Sequence, residues 1–199
     1  RLQTQRGAPE GLRGRRMVAV LAILAVFLVE AVMLQVLCGA YGYGFGAHPD
    51  EAAHFVSSLL VRDYVAHGLP GNPLAYAREY YIHYPKVAIG HWPPMLYGLL
   101  GLWMLVTGAS RASALVFTAL VAAGTATLIH RAASRTLGSW AGWLAGGLFL
   151  ALPLVQESSA RIMTEHLVTF FMVAAALAFA AFQRTERRRH GLAFGLLAA

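Results

Sequence analysis

The stretch Met17–Cys38, MVAVLAILAVFLVEAVMLQVLC, decides the fold class. It carries a single ionisable group, Glu30, and it is long enough as a helix to cross a hydrocarbon layer of about 30 Å at about 1.5 Å per residue. Inside hydrocarbon every backbone polar group must be satisfied within the protein, so a chain opening on such a run is expected to be all-α, a polytopic transmembrane helical bundle. A carboxyl at that depth is costly, so Glu30 should face other helices or a polar cavity, or be held protonated inside the bundle.

Composition agrees along the whole chain. The 199 residues are 58% hydrophobic and 13% charged, against about 25% charged for a soluble domain. The formal net charge of +7 does not point to nucleic acid, because the arginines cluster beside apolar runs, where they set orientation or meet lipid headgroups. Cys38 is the sole cysteine, which excludes a disulfide framework or a cysteine metal site within the chain. The basic flank Arg13, Arg15 and Arg16 resembles a signal peptide, but the apolar run is too long and has no small-residue cleavage site, so it reads as an uncleaved anchor. The chain does not begin with Met, and Gly191–Ala199 opens an apolar stretch too short to span. It therefore reads as the N-terminal portion of a longer protein.

Residues 1–16 form a basic N-terminus, placed in the cytoplasm by Arg1, Arg6, Arg13, Arg15 and Arg16. Residues 17–38 are the first span, 39–92 a large extracytoplasmic loop, and 93–199 further membrane helices of the same domain. Within the loop, Asp50–His67 is expected to be a surface amphipathic helix with Phe55, Leu59, Leu60 and Val65 on its apolar side and His54, Ser57, Ser58, Arg62 and Asp63 opposite. Gly68–Pro93, rich in Gly, Pro, Tyr and His, reads as irregular. Further helices are expected at Pro93–Thr107, Ala112–Ile129, Trp140–Val155 and Leu167–Phe182, with another from Gly191. The first of these rises only about 22 Å. If it crossed fully, Arg131, Arg135 and the Arg184–Arg189 cluster would fall outside. If it dips in or lies at the interface, those clusters return to the cytoplasm, and Gln156–Glu165 joins the loop outside. The second arrangement fits the arginine distribution better.

The chemistry concentrates at His48-Pro49-Asp50-Glu51. Acidic residues at a helix start also serve as caps and complement the dipole, so the pair alone does not establish a site. A basic terminus, a long anchor, an Asp-Glu pair in the first external loop and a surface helix come first. Then come His91-Trp92-Pro93-Pro94-Met95-Leu96-Tyr97, Arg111, the basic Arg131–Gly138 region, and Pro153 followed by Arg161-Ile162-Met163-Thr164-Glu165. In this order and spacing they resemble membrane glycosyltransferases of the GT-C type, especially the protein O-mannosyltransferase and aminoarabinose-transferase-like group (glycosyltransferase family 39). The resemblance covers most of residues 17–182.

That resemblance implies an inverting enzyme of the bacterial inner membrane that moves a sugar from a polyprenyl-phosphate donor to an acceptor hydroxyl at the extracytoplasmic face. Asp50 matches the family's catalytic carboxylate, Glu51 the second acidic place, and Glu165 a further acidic position that is usually Asp. A carboxylate receives the acceptor's proton, and a cationic or metal-bearing site steadies the departing phosphate. Arg78, Lys86, His91 and Arg161 are the phosphate-binding candidates, each also readable as a headgroup contact. Here Trp92 intervenes between His91 and the proline pair, where the family often has a basic residue. No cofactor is implied with certainty, and the loop histidines match no regular metal spacing. A divalent metal held by His91 with Asp50 or Glu51 remains open. His130 and His166 read as interfacial or capping residues, and Tyr76, Tyr80, Tyr81, Tyr84 and Trp92 as interface anchors or a sugar platform. The alternative is a non-catalytic membrane subunit of a larger complex. A transporter would show more mid-span charge than Glu30 and an internal repeat.

Overall fold

A computed structural model describes residues 10–45, 48–88 and 90–199. Arg1 and Arg6 and the side chain of Arg13, used above for orientation, lie outside the described residues. The described chain is helical without strands: α1 (Glu10–Leu37), a short 3-10 turn (Ala40–Gly42), α2 (Pro49–Ala66), α3 (Pro73–His83), α4 (Met95–Thr107), α5 (Arg111–Leu137), α6 (Ser139–Ala151), α7 (Pro153–Ser159), α8 (Glu165–Thr185) and α9 (Arg188–Ala198). α1 from Gly14, α5 and α8 are each long and apolar enough to cross a membrane, and α6 with α7 is an apolar pair bent by 61°, a broken span or a re-entrant loop. This is an integral membrane protein.

α5 is the central post, because its run of Ala, Ser, Thr and Gly lets neighbours approach closely. α1 lies antiparallel to it. Gln35 near the end of α1 donates to Leu115 O (2.9 Å) near the start of α5, while Phe27, farther back, meets His130, farther on. Gly146 of α6 has no side chain because the Phe27 ring occupies that place. Glu30 faces α6 as expected, its Oε1 3.3 Å from where a Cβ on Gly147 would sit. α8 begins beside Ser159, whose hydroxyl bonds buried His166 (2.9 Å), and α9 folds back with Phe194 on Phe179.

These pairings give the bundle two ends. Arg15, Arg16, Arg131, Arg135, Arg184 and Arg187–Arg189 gather towards one; the end of α1, the starts of α2, α5 and α8, and all of α7 form the other, the loop end. α4 lies across that loop end. Its first turn shares a groove with Thr164 and Leu167, and its last turns bond Ser113, with Trp103 Nε1 donating to Ser113 O (3.0 Å) and Thr107 Oγ1 2.6 Å from Ser113 Oγ. The short helix thus starts and finishes on the same side of the bundle.

Four sequence expectations are corrected. Gly68–Pro93 contains α3, started by Asn72, whose side-chain oxygen accepts from Leu74 N–H (2.8 Å) and Ala75 N–H (3.2 Å), with Pro73 in the first turn. Trp140–Val155 breaks at Leu152, which is extended because Pro153 follows it. His130 and His166 are buried within the bundle and not interfacial. The inward stripe of α2 is Glu51, His54, Phe55 and Ser58, a polar face where an apolar one was expected.

Candidate functional site

That reversal of α2 builds the site. Positions 51, 54, 55 and 58 share one helical face: Glu51 Oε1 meets Arg111 of α5 and His54 meets Tyr97 of α4, whereas Ser58 Oγ donates to His54 O within α2 and Glu51 Oε2 is buried without a hydrogen-bond partner among the described residues. Gly101 of α4 approaches closely: a Cβ there would lie 2.8 Å from Ser58 O and 3.0 Å from Val61. This contact presses Tyr97 onto His54, with the Tyr97 hydroxyl 3.2 Å from His54 Nδ1. Ser57 accepts from Ala88 N–H (3.1 Å), which fastens the loop ahead of α4. Trp92 covers the His54 ring (centroids 4.7 Å apart), and His91 packs edge-on against Trp92 (4.3 Å).

The adjacent carboxylates Asp50 and Glu51 part company here. Glu51 is fully buried and its Oε1 lies 3.0 Å from Arg111 Nε and 2.9 Å from Nη2. The other Arg111 hydrogens go to Ala40 O, Tyr43 O and Ala160 O. Four of the guanidinium N–H groups are thus hydrogen-bonded, and Nη2 also lies against Glu51 Oε1. Arg111 clasps the end of α1, the start of α2 and the end of α7. Glu51, expected as a catalytic carboxylate, is turned away from Asp50 into this clasp.

Asp50 is about 39% exposed and sits beside His48. The Asp50 N–H donates to His48 Nδ1 (3.3 Å); a nitrogen that accepts carries no proton, so the 3.8 Å approach of that nitrogen to Asp50 Oδ2 is a cap and not an ion pair. Glu165 is exposed in the first turn of α8. Distant in sequence, Asp50 and Glu165 converge on His54. Burial pushes the proton affinity of His54 down, while the charges of Asp50 and Glu165 both push it up. Both carboxylates therefore lie within electrostatic reach of one imidazole.

The basic candidates are dispersed. His91 joins the cluster through Trp92. Arg161 pairs with Glu157 (3.1 Å) and lines a cavity of about 370 Å³ with Arg111, Tyr43 and Gln156. Arg78 and Lys86 are exposed; among the described residues neither makes an ion pair with Asp50 or Glu165. No three His, Cys, Asp or Glu side chains among the described residues come together to hold a metal. Tyr76, Tyr80 and Tyr84 stack along α3, and Tyr80 donates to Asp63 (2.8 Å). An apolar groove of about 540 Å³, lined by Pro93, Leu96, Thr164, Leu167 and Phe171 among others, opens next to Glu165.

His54, Tyr97 and Gln35 were not singled out in the sequence as functional. His54 had a usable signal: it lies four residues after Asp50, the spacing that places two helical side chains side by side. Gln35 had none; it holds Ser159 O (2.8 Å) and accepts from Tyr41 OH (2.7 Å), partners that only the packed bundle supplies.

Neither a curated protein nor a solved structure matches the chain. The family model for dolichyl-phosphate-mannose-protein mannosyltransferase matches residues 91–199, from the residue that enters the cluster through Trp92 to the end of α9. That match covers more than half of the chain and takes in α4, Arg111 and Glu165, so the chain belongs to the dolichyl-phosphate-mannose-protein mannosyltransferase family, glycosyltransferases of the GT-C type.

Proposed function

We propose that the protein of which this chain is a part transfers a sugar from a polyprenyl-phosphate-linked donor to an acceptor hydroxyl, at the membrane face to which the loop end of the bundle belongs. What carries this reading is the pairing of Asp50, accessible at the start of α2, with Glu165, exposed at the start of α8, whose charges both act on His54. Asp50 is the accessible carboxylate of the acidic pair. It receives the acceptor proton while the acceptor oxygen bonds the anomeric carbon and the sugar-to-phosphate bond breaks with inversion. Glu51 acts at one remove, holding the start of α2 through Arg111. Glu165 adds negative charge opposite Asp50, which orients an acceptor hydroxyl between them.

The apolar groove between the start of α4 and α8 supports a lipid-linked donor. It is lined by Leu96, Leu167, Phe171 and Met172 and reaches Thr164 beside Glu165, so an isoprenoid chain in it carries its phosphate to the loop end. Arg161, four residues before Glu165 and among the described residues paired with the exposed Glu157, is the candidate we assign to the departing phosphate, since a guanidinium can donate to two of its oxygens at once. We place the loop end outside the cytoplasm because the arginine clusters all gather at the other end.

The test is transfer from dolichyl-phosphate-mannose to a serine-containing peptide by the whole natural protein in liposomes, alongside Asp50→Asn. A loss of about 10²- to 10⁴-fold in kcat is expected for removal of a general base. Equal rates overturn the reading.

A further inference from the structure

The buried His54 is the group in the site that the proton transfer above leaves unused. We propose that His54 is a positioning and relay residue that takes the acceptor's proton onward from Asp50 at Nε2 while Nδ1–H stays on the Tyr97 oxygen. The inference rests on the functional reading above. In balance, the acceptor O–H bond breaks as its oxygen bonds the sugar, and the polyprenyl phosphate leaves with the electrons of the broken bond. The proton passes from the acceptor to Asp50, then to His54 Nε2, and then to water.

Four observations support it. His54 is 1% exposed, too deep for a histidine that only solubilises a helix. Its Nδ1 is committed to Tyr97 (3.2 Å), and among the described residues Nε2 has no hydrogen-bond partner and is not among the sealed, orphaned atoms. With Nδ1 carrying the hydrogen, Nε2 keeps a lone pair. Asp50 lies one helical turn before it, on a neighbouring track of α2.

The charged groups that bear on the ring are Asp50 and His48 at the start of α2 and Glu165 from α8. Tyr97 faces it from α4, and Trp92 from the preceding loop. Among the described residues no arginine or lysine contributes to the charge acting on it. Burial therefore keeps the resting ring neutral, while passing the proton restores the Asp50 charge and leaves an imidazolium near two carboxylates, which offsets its desolvation.

The decisive variant is His54→Asn. Its amide nitrogen replaces Nδ1 as donor to Tyr97 but has no titrating nitrogen in place of Nε2. In the whole natural protein, with dolichyl-phosphate-mannose and a serine peptide, kcat should fall about 100-fold. The donor KM should be unchanged, and the acid-side inflection of the pH–rate profile that belongs to the imidazole should vanish. A residue with only a packing role would leave that profile intact. Should His54→Asn fail to fold, NMR titration of His54 in the wild type and in Asp50→Asn gives a second measurement: the ring should protonate at lower pH once the Asp50 charge is gone. If Asp50→Asn is inactive while His54→Asn keeps the wild-type rate and profile, or if the ring titrates identically in both proteins, the relay is wrong and the functional reading stands. If Asp50→Asn matches the wild type, the functional reading itself fails.

Discussion

Asp50 and Glu51 are chemically alike and adjacent, yet they belong to two different machines. Glu51 enters a closed region in which Arg111 makes four hydrogen bonds to protein acceptors. Asp50 borders an open region in which a buried imidazole sits between carboxylates that have no cationic partner among the described residues. Successive helical residues point about 100° apart, which is enough to turn Glu51 into the clasp and leave Asp50 at the exposed start of α2. The closed region shapes the open one: the clasp fixes where α2 begins, and that start fixes where Asp50 stands. A saturated ion pair signals architecture; an incompletely compensated one signals chemistry.

The largest effect that would break this contrast is expected at Arg111. Arg111→Ala leaves Glu51 buried without its counter-charge and three backbone carbonyls without a donor. The expected cost is about 3–5 kcal/mol, read as a lowered midpoint of thermal unfolding in detergent micelles. An unchanged midpoint would show that the clasp is not structural. The double variant Arg111→Met with Glu51→Leu should recover part of the loss, because the buried charge is gone. Recovery should be incomplete, since Ala40 O, Tyr43 O and Ala160 O stay unpaired. Asp50→Asn is the mirror case: stability should shift by under about 0.5 kcal/mol while transfer collapses.

How much of this could be read from residues alone follows the same division. The spans were legible, because apolar length is a one-dimensional signal; the readings of the short helix and of Asp50 with Glu165 rested on arginine placement and on the family resemblance. The fate of Glu51 was not. Its partner lies 60 residues away, and nothing in a sequence distinguishes a cap from half of a clasp. The polar inward face of α2 was misread because a periodicity rule assigns apolar residues inward, whereas Glu51 and His54 are buried against polar side chains of other elements and Ser58 donates to its own helix. The break at Pro153 and the cap at Asn72 carried local signals, a mid-run proline and an Asn-Pro pair, that length-based reading of spans and loops passed over.

A smaller expected effect sits where α4 meets α2. Gly101→Ala forces a methyl against the Ser58 carbonyl at 2.8 Å, a backbone atom that cannot rotate aside. Overpacking of this kind costs about 1–3 kcal/mol. It should also lift Tyr97 from His54 while the Arg111 clasp, about two helical turns earlier on α2, stays intact. The sharpened comparison is therefore a variant whose transfer rate falls more than its unfolding midpoint predicts. If rate and midpoint fall strictly together across several temperatures, the two regions are one cooperative unit and the division drawn here does not hold.

The smallest effect comes at the point both regions share. His48 caps α2 through a long 3.3 Å acceptance from Asp50 N–H, so His48→Ala should cost about 0.5–1 kcal/mol, the lower part of the range for a lost N-cap. His48 also adds to the charges around His54 when protonated, lowering the proton affinity of that ring. Its removal should therefore let His54 take a proton at slightly higher pH, while Glu51 and Arg111 remain paired. NMR titration of His54 in His48→Ala reads the sign directly. A shift to higher pH ties His48 to the open region, whereas no shift, with the same small loss of stability, makes it a cap and nothing more.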